Sequence, residues 1–262
     1  MELSIDSVQK YFGRKLLLSD IYLNCKKGEI LGIYGRNGSR KSTLFKIIAG
    51  IEKADNKFVK IGDKVLKSNL DSIRRINFLA QSTFLPRHLK VKSILQLFGS
   101  AVDLDDPLIS ELLNFKVSHL SSGQRRIVEL YSILYSQCDF VLLDEPFSGL
   151  DPVNQQILEN MVREIADRGR TIIFSTHVME HAERLCDKII LMSHGEKIFD
   201  GDMTQALSHA PRKLLIEVMG EGAQAVLAPF TNSIDTEAPG VFQLVLKSGV
   251  GSQEVLKAVI KN

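Results

Sequence analysis

Cysteine, net charge and long apolar runs are all scarce in these 262 residues. Cys25, Cys138 and Cys186 are an odd number with no C-x-x-C or zinc-like spacing, which points to a reducing compartment and inert thiols rather than a disulfide framework. A formal net charge of +2 is too small for a protein whose main work is neutralising the phosphates of DNA or RNA, so no nucleic-acid partner is expected. No apolar stretch approaches the roughly 20 residues that a spanning helix needs, and the start MELSIDSVQK lacks the basic-then-apolar run of a secretion signal. A cytoplasmic chain with no direct membrane span is expected, and any work at a membrane must go through a partner. Repeats, heptad runs and low-complexity segments are missing as well. What is there, 44% hydrophobic and 24% charged, suffices for one sizeable core with a small appendage.

Short apolar runs alternate with helical patterns along the chain. EILGIYG (29–35), INFLAQ (76–81), DFVLLDEP (139–146), TIIFSTH (171–177) and KIILMSHG (188–195) are continuous rather than alternating, as in strands covered on both faces. KSTLFKIIAGI (41–51), SGQRRIVELYSILYSQC (122–138), PVNQQILENMVREIADRG (152–169) and VMEHAERLC (178–186) carry apolar residues three and four apart. The pattern predicts an α/β fold with a largely parallel sheet. Residues 4–28 hold two strand-like runs joined by a glycine turn, an antiparallel flap. A short helical insert is expected over about 82–138, opening with the patterns LKVKSILQLFGSA and DPLISELLNF. The main domain then covers 1–211, and a small α+β appendage covers 212–262: strand KLLIEVMG, helix GAQAVLAPF, a polar turn region, strand VFQLVLKS and helix SQEVLKAVIKN.

GRNGSRKST (35–43) lies between the strand ILGIYG and a helix, the setting that a phosphate loop of the pattern G-x-x-x-x-G-K-[ST] requires. Gly35, Asn37, Gly38, Ser39, Arg40, Lys41, Ser42 and Thr43 would cradle phosphates with backbone N–H groups at the helix start. Lys41 would reach the outer phosphates, and the Ser42 hydroxyl would ligate Mg²⁺. Arg40 stands where the pattern has glycine, and its β-carbon intrudes where the backbone must approach phosphate closely. An added cation there offsets only about 1 kcal/mol, so weakened nucleotide binding is expected, with hydrolysis weakened further. About a hundred residues on, Asp144 and Glu145 emerge from the carboxyl end of the strand Phe140 to Leu143, Asp144 to hold Mg²⁺ and Glu145 to polarise an attacking water.

Together with these two elements, HLSSGQRR (119–126), SGLDP (148–152), STHVME (175–180) and Gln81 make the chain resemble the nucleotide-binding subunit of an ATP-binding cassette (ABC) transporter of the efflux type. HLSSGQRR is similar to the family's LSGGQ signature, with Ser122 where the first glycine usually is. The resemblance implies a P-loop NTPase core and a transport-coupled ATPase that binds ATP with Mg²⁺. ATP would lie between two cassettes, homo- or heterodimeric, with Ser121, Gly123 and Gln124 of one facing the phosphate loop of the other. By the same resemblance Tyr11 stacks on adenine, Gln81 acts in catalysis and at Mg²⁺, Asp151 belongs to the loop after the glutamate, and His177 hydrogen-bonds the γ-phosphate or the water. An integral membrane permease would be gripped through the helical insert, leaving the chain peripheral on the inner face of the membrane. A non-catalytic or regulatory cassette that pairs with another cassette or a membrane subunit is the second reading. A GTPase reading fails, since NKFV (56–59) lacks the aspartate of N-K-x-D. The pair Arg125 and Arg126 reads as a solvated helix face, and His181 as a surface or packing residue.

Overall fold

The computed structural model describes residues 2–82, 85–98, 103–209, 213–218, 223–238, 240–247, 250 and 252–261; the ends of expected segments at 99–101, 212, 219–220, 222, 248 and 262 lie outside them. The chain divides into two compact units, Met1–Ala206 and Leu207–Asn262.

In the first unit, β1 (Glu2–Phe12) and β2 (Lys15–Lys26) form the antiparallel flap. The chain then crosses to β3 (Ile30–Tyr34) and α1 (Lys41–Ile48), and returns through β4 (Asn56–Ile61) and β5 (Lys64–Val65) to complete a sheet of order β2-β1-β4-β5. After α2 (Asn69–Arg75), β6 (Ile76–Leu79) and α3 (Val91–Phe98) come α4 (Ser122–Leu134), β7 (Phe140–Leu143) and α5 (Pro152–Asp167). The unit ends with β8 (Thr171–Thr176), α6 (Met179–Leu185), β9 (Lys188–Ser193), β10 (Glu196–Asp202) and the start of α7 (Met203–His209). The main sheet has the order β10-β9-β3-β8-β7-β6 and is parallel except for β10, which runs antiparallel to β9.

The continuous apolar runs are strands wedged between two cores. On one face Val141, Leu143, Ile172 and Phe174 pack with α3, α4 and α5 residues such as Leu95, Leu130 and Leu158. On the other Leu142, Ile173, Leu31 and Ile33 pack with α1 and with the flap residues Leu3, Ile5 and Leu23. Each strand is covered twice and needs no polar alternation. β4, β5 and β10, which sequence periodicity did not pick out, are the opposite case. β4 and β10 alternate in burial because one face is open, so they carry no continuous run.

Two expectations are corrected. DPLISELLNF is not a helix; its regular part is a single 3₁₀ turn, Ser110–Leu112. Asp106 holds the segment by its own carboxylate, which accepts from the Leu108 N–H at 2.9 Å and from the Tyr131 hydroxyl at 3.0 Å. The Val91 and Lys92 N–H groups bond the Phe115 and Leu113 carbonyls at 3.0 Å, and such bonds compete with a helical ladder too short to persist alone.

The second correction falls in the second unit, where β11 (Lys213–Glu217), α8 (Ala223–Leu227), β12 (Thr231–Ala238), β13 (Val241–Leu246) and α9 (Ser252–Lys261) surround a core of Ile216, Leu227, Leu244 and Val255. The expected polar turn region is the strand β12, at the edge of a sheet of order β11-β13-β12. Most of its residues are exposed, so the sequence carries no buried alternation to reveal it.

The β9–β10 hairpin locks onto the flap. Gly195 has φ +85°, its carbonyl accepts from the Ser19 N–H at 3.0 Å, and a β-carbon there would lie 1.9 Å from the Leu17 carbonyl oxygen. Left-handed strain and this clash together are expected to make Gly195→Ala cost about 3 kcal/mol, a fall in Tm of roughly 6–12 °C. Thermal unfolding within about 2 °C of wild type would contradict this packing.

Candidate nucleotide site

β3 ends the buried run Ile30–Ile33 at the half-buried Tyr34, and the chain turns at once. Gly35 is required by space: a β-carbon would sit 2.5 Å from the Met192 carbonyl oxygen and 2.6 Å from Ser39 Oγ. The Gly35 N–H donates to the Thr176 carbonyl at 3.2 Å, and the Ser39 N–H to the Arg36 carbonyl at 3.1 Å, which closes the loop. Arg40 is the cap of α1 and takes φ 77°, ψ 20°, with no side-chain capping bond. This left-handed backbone costs a β-carbon-bearing residue roughly 1 kcal/mol that glycine would not incur. The helical ladder is joined by the Leu44 N–H bonding the Arg40 carbonyl at 3.1 Å, which leaves the first-turn N–H groups of Lys41, Ser42 and Thr43 without intrahelical acceptors.

Lys41 is nearly buried. Its Nζ donates to the Gly35 carbonyl at 2.6 Å and lies 3.3 Å from Glu145 Oε1, an ion pair without hydrogen-bond alignment. Glu145 follows β7 and Asp144, and is itself left-handed at φ 46°. Its N–H donates to Ser175 Oγ at 2.9 Å, and Ser175 Oγ donates to Asp144 Oδ1 at 2.6 Å. The Asp144 N–H is held by the Leu79 carbonyl at 2.9 Å. Glu145 Oε2 is 3.0 Å from His177 Nδ1, so the carboxylate spans from the loop lysine to the imidazole. Ser175, fully buried on β8, ties the two acidic residues together and was not foreseen. It stands two residues before His177, at the end of β8, which is the signal that sequence offers.

A cavity of about 300 Å³ is lined by Asn37, Gly38, Ser39, Arg40, Lys41, Ser42, Thr43, Gln81 and Glu145. Loop, glutamine and glutamate thus meet in one space. Ser39 Oγ is buried there with no hydrogen-bond partner among the described residues, a donor that a phosphate oxygen would satisfy. A nucleotide phosphate fits the loop on these grounds: free first-turn N–H groups, an orphaned hydroxyl and the Lys41 ammonium. Ser42 and Gln81 offer neutral oxygens and Asp144 a carboxylate nearby, the oxygen set that Mg²⁺ prefers. A second cavity of about 620 Å³ lies on the other flank of the loop, between Arg36 and Asn37 and the β9–β10 residues Met192, His194 and Ile198.

Other expected residues stand apart from this cavity. Tyr11, on β1, is 43% exposed; its N–H donates to Asp55 Oδ2 at 2.6 Å, and it lines neither cavity. Ser121 caps α4: its hydroxyl accepts from the Gln124 N–H at 3.1 Å while Gln124 Oε1 accepts from the Ser121 N–H at 3.0 Å. Gly123 faces Asn154, whose Nδ2 would be 3.2 Å from an added β-carbon. Asp151 caps α5 by accepting from the Asn154 N–H at 2.9 Å, and these bonds hold its carboxyl below the usual carboxylate range. The solvated-face reading of the arginine pair is wrong: Arg126 is buried against Ala80 and Glu129, and Arg125 donates to the Leu120 carbonyl at 3.1 Å. Helix periodicity counts any charge as outward, and only the tertiary contact reveals otherwise. His181 packs on Phe147 with ring centroids 4.1 Å apart.

A phosphate loop at a strand-to-helix turn, with paired carboxylates at the end of the parallel strand next but one, defines a P-loop nucleotide-binding domain. The comparisons narrow this class. Residues 18–148 match the family model described as ABC transporter. An uncharacterized ABC transporter ATP-binding protein of Methanocaldococcus jannaschii is 32% identical over 213 residues, 76% of this chain and 77% of that one. A Nod factor export ATP-binding protein I of a Rhizobium species is 28% identical over 257 residues, covering 92% of this chain and 84% of the relative. Among solved structures, a nucleotide-free ATP-binding cassette from an ABC transporter superposes with TM-score 0.68 at 25% identity, over 79% of this chain and 96% of that one. The chain belongs to the ABC transporter family, as an ATP-binding cassette.

Two outcomes check the site. Ser175→Ala leaves the Glu145 N–H and Asp144 Oδ1 without their buried partner, and is expected to cost about 2 kcal/mol, roughly 4–8 °C in Tm, while Ser175→Thr keeps the hydroxyl and most of the stability. Equal melting of the Ala and Thr variants would argue against the bridge. Burial lowers the His181 pKa from its ordinary value, so the folded state favours the neutral ring. Its contribution to stability is complete above about pH 6.5 and is lost as pH falls from there through the depressed folded value. His181→Phe is expected to flatten the acid side of a stability–pH curve, and an unchanged slope between about pH 7 and 5 would refute the assignment.

Proposed function

We propose that this cassette hydrolyses ATP to power a membrane-embedded exporter, with each ATP held between two cassettes. The observation that carries the reading is the convergence on Glu145 of Lys41, 3.3 Å away, and His177, 3.0 Å away, at a cavity lined by the phosphate loop and Gln81. When phosphate enters the loop, the Lys41 ammonium exchanges Glu145 and the Gly35 carbonyl for phosphate oxygens. Glu145 Oε1 is then released to accept a hydrogen bond from water and act as general base, while His177 on Oε2 fixes the carboxylate and can hydrogen-bond the γ-phosphate. Mg²⁺, held by Ser42, Asp144 and Gln81, would supply charge neutralisation on the phosphates. Tyr11 offers a ring for the adenine on the exposed side of the flap.

Ser121, Gly123 and Gln124 do not line the loop cavity of their own chain, in keeping with their being presented to the loop of a second cassette. The amino end of α4 supplies N–H donors suited to a γ-phosphate. Asp151, beside Gly123 through Asn154, belongs to the same face. A membrane partner is supported by an apolar groove of about 250 Å³ between Ile51, Ile73, Phe78 and Phe98, with Ile51 and Ile73 largely exposed. Export is supported by the relatives named Nod factor export proteins. Since no helix among the described residues is long and apolar enough to cross a membrane, attachment to its inner face would run through that permease.

Arg40 favours a second reading, in which the cassette binds nucleotide weakly and serves a catalytic partner. Phosphate release decides between them. Wild type is expected to release phosphate from Mg-ATP slowly, Arg40→Gly about tenfold faster, and Glu145→Gln to stop turnover while Mg-ATP drives it into dimers on sedimentation. No release from either wild type or Arg40→Gly would favour the regulatory cassette.

A further inference from the structure

We propose that Arg126 is a positioning residue that ties the loop carrying Gln81 to the start of α4, so that the two move as one. This rests on the reading of Gln81 as part of the nucleotide site. Arg126 lies one turn into α4 and is only 7% exposed. Its Nη1 donates both to the Ala80 carbonyl and to Glu129 Oε2, each at 3.1 Å, and Glu129 is fully buried. Ala80 is the residue before Gln81, and Gln81 lines the loop cavity. The capping pair Ser121 and Gln124 is on the same first turns of α4.

A buried ion pair is a poor device for stability alone, since apolar residues of similar volume do as well or better. What a guanidinium adds is direction: a rigid planar fork reaches a backbone carbonyl on another element, which neither lysine nor an apolar side chain reproduces. Here the fork joins the carbonyl beside Gln81 to the helix whose amino end carries Ser121. Arg126 Nη2 is buried and has no hydrogen-bond partner among the described residues. A displaced Ala80 carbonyl can therefore be met by Nη2 while Nη1 keeps its bond to Glu129 Oε2. A shift at Gln81 on nucleotide binding would pull on the start of α4 through this contact.

The chain contains no tryptophan, so Ser82→Trp introduces one indole beside Gln81 as the sole reporter. Time-resolved anisotropy of the full-length protein without nucleotide is expected to show a small fast component with Arg126 present. That component should at least double in Arg126→Gln paired with Glu129→Gln, which removes the fork without stranding a buried carboxylate. Arg126→Lys, which keeps the charge, should fall between. An indole introduced instead by Val153→Trp, on α5, should not respond, so a general loosening is separated from loss of the tether. An unchanged fast component in either folded Arg126 variant would overturn the proposal. Added Mg-ATP should also shift the emission of the Ser82→Trp indole; if it does not, the nucleotide reading of Gln81 fails, while the nucleotide-free anisotropy still decides the tether.

Discussion

The buried ion pair between Lys41 and Glu145 is the constraint around which the first unit is arranged. Lys41 opens α1 and Glu145 follows β7, both are almost wholly buried, and each charge is retained because the other is there. The surrounding bonds hold that arrangement in place. The Gly35 carbonyl fixes the ammonium, Ser175 fixes the backbone of Glu145, and His177 takes the second carboxylate oxygen. Glu145 adopts a left-handed backbone to reach this position, a strain that persists because β7 and β8 over-determine it. The main sheet thereby brings residues from 41, 145, 175 and 177 to a single point.

The same geometry gives Arg40 its meaning. The expected difficulty was a β-carbon crowding the phosphates; the loop adds a second difficulty, because the position is left-handed and strains any residue with a side chain. Both are small beside the number of donors that the loop retains. Lys41, Ser42 and the first-turn N–H groups are all present, and Ser39 Oγ waits for an acceptor. A loop that is strained but fully equipped is what would be seen if nucleotide affinity were lowered rather than lost.

Much of this is legible in the sequence. Strands buried on both faces write continuous apolar runs, so the parallel sheet and the two loops at its carboxyl ends were readable from residues 29–35, 139–146 and 171–177. Elements with one open face were not: β10 alternates, β12 is mostly polar, and each is an edge strand paired only with its hairpin neighbour. DPLISELLNF failed for a related reason, since Asp106 and the first turn of α3 redirect a segment whose own pattern is helical. Among site residues, Ser175 and Arg126 lie inside the motifs STHVME and HLSSGQRR, but they act through contacts 31 and 46 residues away that no local pattern shows.

The account stands or falls on whether the loop with Arg40 in place holds a nucleotide. Calorimetric titration of Mg-ATP into the purified wild-type chain measures this directly. Saturable binding with a Kd below about 1 mM, tightened by Arg40→Gly, is the predicted result. An absence of saturable heat from both proteins at several times that concentration would contradict it, and the Lys41–Glu145 pair would then be a structural ion pair rather than the resting state of a nucleotide site.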